Sequence, residues 1–129
     1  MKERLLELAK NAYCPFSHYR VSTIIIMKDG TEFIGVNVEN AAFGSSICAE
    51  RSAILSAISH GYTVGDFKEL HCMCADSNRI STSCFACRQV ISEFFDKDAP
   101  LYFYSNTGEV KMYTVEELCP YPFGQEDLK

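Results

Sequence analysis

Residues 21–38 read VSTIIIMKDGTEFIGVNV, and the fold turns on how they are read. Val21 to Met27 is a β-branched apolar run, Asp29-Gly30 is a hairpin signal, and Thr31 to Val38 supplies a second strand, so the sheet opens with an antiparallel pair. Downstream, a helical pattern over Cys48 to His60 stops at Gly61, a short strand covers Leu70 to Ala75, and a second helix over Cys84 to Phe95 sets Cys87, Val90, Ile91, Phe94 and Phe95 along one face. Strands at Leu101 to Tyr104 and Val110 to Thr114 flank a Ser105-Asn106-Thr107-Gly108 turn, before a short helix around Val115 to Leu118 and a tail carrying Pro120 and Pro122. Strands alternating with helices predict an α/β layered fold, and the opening hairpin makes its sheet mixed.

The chain has 129 residues and no linker-like composition shift, repeat or low-complexity tract, which predicts one domain over residues 1–129. Met1 to Tyr13 mixes Lys2, Glu3, Arg4, Glu7 and Lys10 with Leu5, Leu6, Leu8, Ala9 and Ala12, the pattern of an amphipathic surface helix rather than a signal peptide. No apolar run approaches the ~20 residues of a membrane span, so a soluble chain is expected. The net charge of −5 and pI near 5.1 provide no general positive field for nucleic acid or an anionic membrane. Small neutral ligands are favoured over polyanions. Seven cysteines is an odd count, and without an export signal it suits reduced thiols in the cytoplasm better than a disulfide framework.

Cys84 and Cys87 stand at i, i+3 in the opening turn of a helix, about 60° apart, so both sulfurs can reach one metal ion. Two buried thiols or a thioredoxin-like redox pair are equally open readings of C-x-x-C taken alone. Cys48 opens the other helix. If the two helix N-termini converge, three sulfurs surround one zinc and leave its fourth position to water. Glu50 then acquires a purpose: at 100° per residue it lies amid Ala49, Ala53, Ile54, Ala57 and Ile58 on the buried arc, where a carboxylate needs either a partner or a proton-transfer role. Its plainer reading is a helix-start carboxylate favoured by the macrodipole.

Cys48-Ala49-Glu50-Arg51 followed by Cys84-Phe85-Ala86-Cys87-Arg88-Gln89 resembles the small homotetrameric cytidine deaminases. Residues 12–19, 37–41, 47–53, 84–90 and 123–128 match that family in order. The resemblance implies a three-layer α/β/α fold with a five-stranded mixed sheet and helices on both faces. It implies hydrolytic deamination of cytidine and deoxycytidine in pyrimidine salvage, with one Zn2+ per subunit held by Cys48, Cys84 and Cys87, a zinc-bound hydroxide attacking C4, and Glu50 shuttling protons. Arg51, at i+3 from Cys48, is placed to draw charge off its sulfur, although an exposed helix arginine is an equal reading. Asn37 and Glu39 project from one face of the second strand while Ile34, Val36 and Val38 take the other. By resemblance they hold the ribose, chiefly its 3′-hydroxyl. By the same resemblance Tyr19 packs on the base where phenylalanine is usual, the Ala49 N–H meets the pyrimidine O2, the Thr82 carbonyl meets the amino group, and Ala41 joins the substrate-binding set. Phe43 and Phe123 would reach a neighbouring subunit's pocket in a homotetramer.

Ser83 replaces the usual proline and Phe85 the usual glycine; Ser83 is expected to cap the Cys84 helix, and Phe85 to point away from the metal. Arg20, Ser22 and Thr23 replace Pro, Gly and Ala. His71-Cys72-Met73-Cys74 offers a rival metal cluster, but on a strand Cys72 and Cys74 share one face and His71 takes the other, so buried packing is the expectation. Two rival functions stay open: a zinc-stabilised binding domain with Cys72 or Cys74 as fourth ligand, and a deaminase of a nucleotide or modified nucleoside.

Overall fold

The computed structural model describes all 129 residues. Four helices, α1 (Lys2–Ala9), α2 (Ala49–Ser59), α3 (Phe85–Phe94) and α4 (Val115–Leu118), accompany five strands, β1 (Val21–Met27), β2 (Glu32–Val36), β3 (Phe67–Cys74), β4 (Pro100–Tyr104) and β5 (Val110–Thr114). The sheet runs β2-β1-β3-β4-β5, antiparallel except for the β3–β4 pair, which α3 connects as a crossover. No helix is long and apolar enough to cross a membrane.

The β1–β2 turn forms because Gly30 accepts a φ of +90° and the Asp29 carboxylate takes the Thr31 N–H at 2.9 Å. One sheet face carries α1 over a small core of Leu5, Ile24, Met73 and Tyr104, tied at its edge by the Ser22 hydroxyl donating to the Leu5 carbonyl at 2.7 Å. The other carries α2 and α3 over the main core, where Ile25, Ile54, Phe67, Leu70, Ile91 and Phe103 interlock. Sheet alternation sends His71 to the α1 face, hydrogen-bonded to Tyr104 at 2.7 Å and Glu69 at 2.6 Å, while Cys72 and Cys74 face α2.

Several boundaries differ from those read off the sequence, each for a physical reason. α1 stops at Ala9 rather than Tyr13, because Tyr13 leaves to bridge Val38 beside the second strand. β2 ends at Val36, where its pairing with Ser22 ends; Val38 bridges Tyr13 and Ile47 instead. β3 begins at Phe67 rather than Leu70. A bulge opposite Ile26/Met27 skips Lys68 in the register, so Phe67 and Leu70 both turn inward at a spacing that period-two reading excludes. The two main helices start one residue later than expected, with Cys48 and Cys84 themselves in the extended N-cap positions.

Candidate active site

The first turn of α2 packs directly on the backbone of β2, and one glycine allows it. A Cβ at Gly35 of β2 would lie 2.5 Å from both the Ala49 carbonyl oxygen and the Ala53 nitrogen, so any side chain there would lift the first turn of α2. That turn carries Cys48, Ala49, Glu50 and Arg51. The N-terminus of α3 converges on it, and the Sγ atoms of Cys48, Cys84 and Cys87 all fall within 4.8 Å of one another, with Cys48 and Cys84 3.7 Å apart.

A tetrahedral zinc with Zn–S bonds of about 2.3 Å requires sulfur–sulfur edges of about 3.8 Å. The observed pair meets that requirement, and no fourth side-chain ligand belongs to the cluster: Cys72 and Cys74 lie outside it. The electrostatics agree. The neighbouring Cys87 thiol, helped by Arg51 and Cys84 and opposed by burial, brings the Cys48 thiol down to about 5, while the same closeness and burial raise Cys87. Arg51 Nη2 donates to Cys48 Sγ at 3.3 Å.

Beside the sulfurs lies a cavity of about 450 Å³, within the ~300–1,000 Å³ range of small-molecule sites. Its wall includes Cys48, Ala49 and Glu50 from the start of α2, Asn37 and Glu39 from the segment after β2, and Ser17, Tyr19, Ser81 and Thr82 from the loops before β1 and after β3. Glu50 is 5% exposed. Burial pushes its carboxyl above the ordinary range, and the Ser83 hydroxyl and its own backbone N–H pull the other way. A carboxyl so poised can both take and give a proton. Ser83 does not cap α3 as expected. Cys84 holds that position, and the Ser83 Oγ is buried with no hydrogen bond of good geometry, though near enough to Glu50 to favour its ionised form.

Asn37 and Glu39 face the cavity and are also tethers. The Asn37 side chain accepts from Val21 N at 2.9 Å and donates to the Tyr19 carbonyl at 2.8 Å. Glu39 accepts from the backbone N–H of Phe16 and Ser17, at 3.0 and 3.1 Å, and from the Ser17 hydroxyl. The hydroxyl and these amides hold its carboxyl below the ordinary range. The segment 14–20 that they hold is pinned on its far side by an Arg20–Asp76 ion pair at 2.6 Å.

Three expected residues lie outside the cavity wall. Ala41, Phe43 and Phe123 are exposed, with Phe43 at 72% edge-on to Phe16 and the Phe123 carbonyl accepting from Gln89 at 2.7 Å. Phe85 turns outward, its ring under the Arg88 guanidinium at 4.3 Å. Arg88 is a residue that sequence reading passed over: it donates to the Ser83 carbonyl at 2.7 Å, the Thr82 hydroxyl at 2.8 Å and the Leu118 carbonyl at 3.0 Å, fixing the Thr82–Ser83 loop without a proline. Its place directly after Cys87 was the available signal. Ser17 and Ser81 carried none, since their partners lie far away in the chain.

Comparisons with known proteins complete the description. A family model described as "Cytidine and deoxycytidylate deaminase zinc-binding region" matches residues 1–103. A curated cytidine deaminase of Sporosarcina psychrophila is 40% identical over 119 residues, covering 92% of this chain and 85% of that protein. Another, of Halalkalibacterium halodurans, is 37% identical over 123 residues, covering 95% of this chain and 91% of that protein. The crystal structure of cytidine deaminase from Burkholderia pseudomallei superposes with a TM-score of 0.86 at 33% identity, over 95% of this chain and 99% of that one.

Proposed function

The chain belongs to the cytidine and deoxycytidylate deaminase family, and from that premise we propose how its cavity carries out the reaction. That reaction is the zinc-dependent hydrolytic deamination of cytidine to uridine and ammonia. The observation that carries the reading is the union of three sulfurs at two helix tips with a buried carboxyl on the wall of a nucleoside-sized cavity.

Cys48, Cys84 and Cys87 would hold the zinc, which would supply the Lewis acidity that lowers the pKa of a bound water from 15.7 toward about 7. Glu50 takes a proton from the attacking water and delivers it to N3 as C4 becomes tetrahedral, then takes the proton of the new C4 hydroxyl and carries it to the departing ammonia as the C4 carbonyl forms. The Arg51 guanidinium draws charge from the Cys48 sulfur, which offsets the loss of Lewis acidity that three thiolates bring. The Ala49 N–H donates to O2, and the Thr82 carbonyl, held by the Arg88 contacts around it, accepts from the amino group. Asn37 and Glu39 hold the sugar through its 3′-hydroxyl; deoxycytidine, which keeps that group, is therefore also a substrate in this reading. Tyr19 closes the cavity against the base.

The same reading treats residues 1–129 as one deaminase domain, since Val115 and Leu118 beyond the matched segment belong to the main core. It places the chain in a homotetramer, with exposed Phe43 and Phe123 covered by neighbouring subunits. Seven unpaired cysteines suit a reducing, cytoplasmic compartment and a role in pyrimidine salvage.

The test is direct. Purified protein converts cytidine to uridine, followed by ultraviolet absorbance and ammonia release, and Glu50→Gln stops turnover while metal analysis still finds one zinc per chain. Retention of turnover in that variant would remove Glu50 from its role.

A further inference from the structure

The mechanism leaves two hydroxyls on the cavity wall without a role. Tyr19, on the loop before β1, donates to Ser81, on the loop after β3, at 3.0 Å, and both side chains line the cavity. The two loops are pinned together independently of this bond. Arg20 meets Asp76 through Nη2 at 2.6 Å, Nε at 3.1 Å and its backbone nitrogen at 2.8 Å, and Ala75 N donates to the Arg20 carbonyl at 2.8 Å. The hydroxyl pair therefore stands on fixed backbone.

Each hydroxyl brings one proton and two lone pairs. Their mutual bond consumes one proton, whichever group donates it, and Ser81 makes no other side-chain hydrogen bond within the chain. One O–H donor and at least one acceptor remain available at the wall. A ligand hydroxyl, itself a donor and an acceptor, is the group that matches such a pair.

Ring geometry says which atom of the base faces it. This step rests on the orientation proposed above. With O2 at Ala49, N3 at Glu50 and the amino group at the Thr82 carbonyl, carbon 5 lies beside the amino group on the side away from Glu50. Ser81 directly precedes Thr82 in the chain and lines the same cavity, so in this orientation the Tyr19–Ser81 pair neighbours the amino group and with it carbon 5. We propose that the Tyr19–Ser81 pair is a specificity determinant that reads the substituent on carbon 5, favouring cytosine nucleosides that carry a small hydrogen-bonding group there over those with an apolar group of the same size.

The test compares kcat/KM for 5-hydroxymethylcytidine and 5-ethylcytidine, which differ by one oxygen for one carbon, in the wild-type protein, Ser81→Ala, Tyr19→Phe and the double variant. Reading the ratio within each protein cancels any general loss of stability or catalysis. The expected ratio is about tenfold in favour of the hydroxymethyl compound in the wild type, about one in the double variant and intermediate in each single variant. A wild-type ratio at or below one, or a double variant that keeps the wild-type ratio, overturns the assignment. Unsubstituted cytidine is run alongside: its turnover with a flat ratio removes only the role of the pair, whereas no turnover of cytidine removes the underlying reading and this inference with it.

Discussion

The two ends of the cavity are built in different ways. At the zinc end, Cys48, Ala49, Glu50 and Cys84 take their positions from the backbone of two helix tips, and their side chains are left for chemistry. On the side proposed to take the sugar, Asn37 and Glu39 lie beyond the last residue of β2, and their polar atoms already hold the 14–20 segment through its amides, a carbonyl and the Ser17 hydroxyl. Regular structure gives precision without spending functional groups; an irregular loop must be held by the groups that recognise the ligand. Substitution at the first end should therefore break one function, and substitution at the second should break two together.

The largest expected effect is at the zinc end. Cys87→Ala, or dialysis against a strong chelator, abolishes turnover and lowers Tm, while amide exchange in residues 14–20 stays slow; loss of protection there would show that the two ends are not separate. Glu50→Gln comes next, with kcat reduced on the order of 10⁴-fold, zinc content unchanged and the loop undisturbed. Glu39→Ala sharpens the contrast from the other side: kcat/KM for cytidine falls on the order of 10²-fold, chiefly through KM, and amide protection at Phe16 and Ser17 disappears in the same variant. An unprotected loop with normal KM, or the reverse, would separate the two duties claimed for this carboxylate.

Gly35→Ala has a smaller effect and acts through the backbone. The added Cβ meets the first turn of α2, so unfolding free energy falls by about 1–3 kcal/mol, measured by denaturant titration, and zinc affinity drops with it. The smallest effect is on acidification. Glu39 and Asp76 both titrate below their ordinary values of 4.5 and 3.8, held down by Ser17 and Arg20 respectively. Their stabilisation of the loop is therefore complete above those values and lost only as pH falls through the lower folded-state ones. NMR amide shifts of Ser17 and Arg20 should hold steady down to about pH 4.5 and move below it; movement near pH 6 would point to another group.

The same contrast explains what the sequence disclosed. The hairpin at Asp29-Gly30, the buried arc of α2 and the C-x-x-C turn are local patterns, in which spacing alone sets direction. Cys48 stands 36 positions before Cys84, and its part in the cluster depends on two helix ends meeting. Ser17 on Glu39, Tyr19 on Ser81 and Arg20 on Asp76 join residues 22, 62 and 56 positions apart, and no periodicity announces such partners. The bulge that starts β3 at Phe67 was hidden for the same reason, since it is visible only opposite Met27 of another strand. Ser83 was misread because residue type suggested a cap, whereas burial beside Glu50 decided its surroundings.

Arg88 grips the Thr82–Ser83 loop with one arm and the Leu118 carbonyl with the other, and its neighbour Gln89 secures the Phe123 carbonyl. The last 26 residues, which the family model does not reach, are thereby harnessed to the Thr82–Ser83 loop at the cavity wall. Variation in that tail is therefore a route by which changes remote from the cavity can reach its Thr82–Ser83 wall.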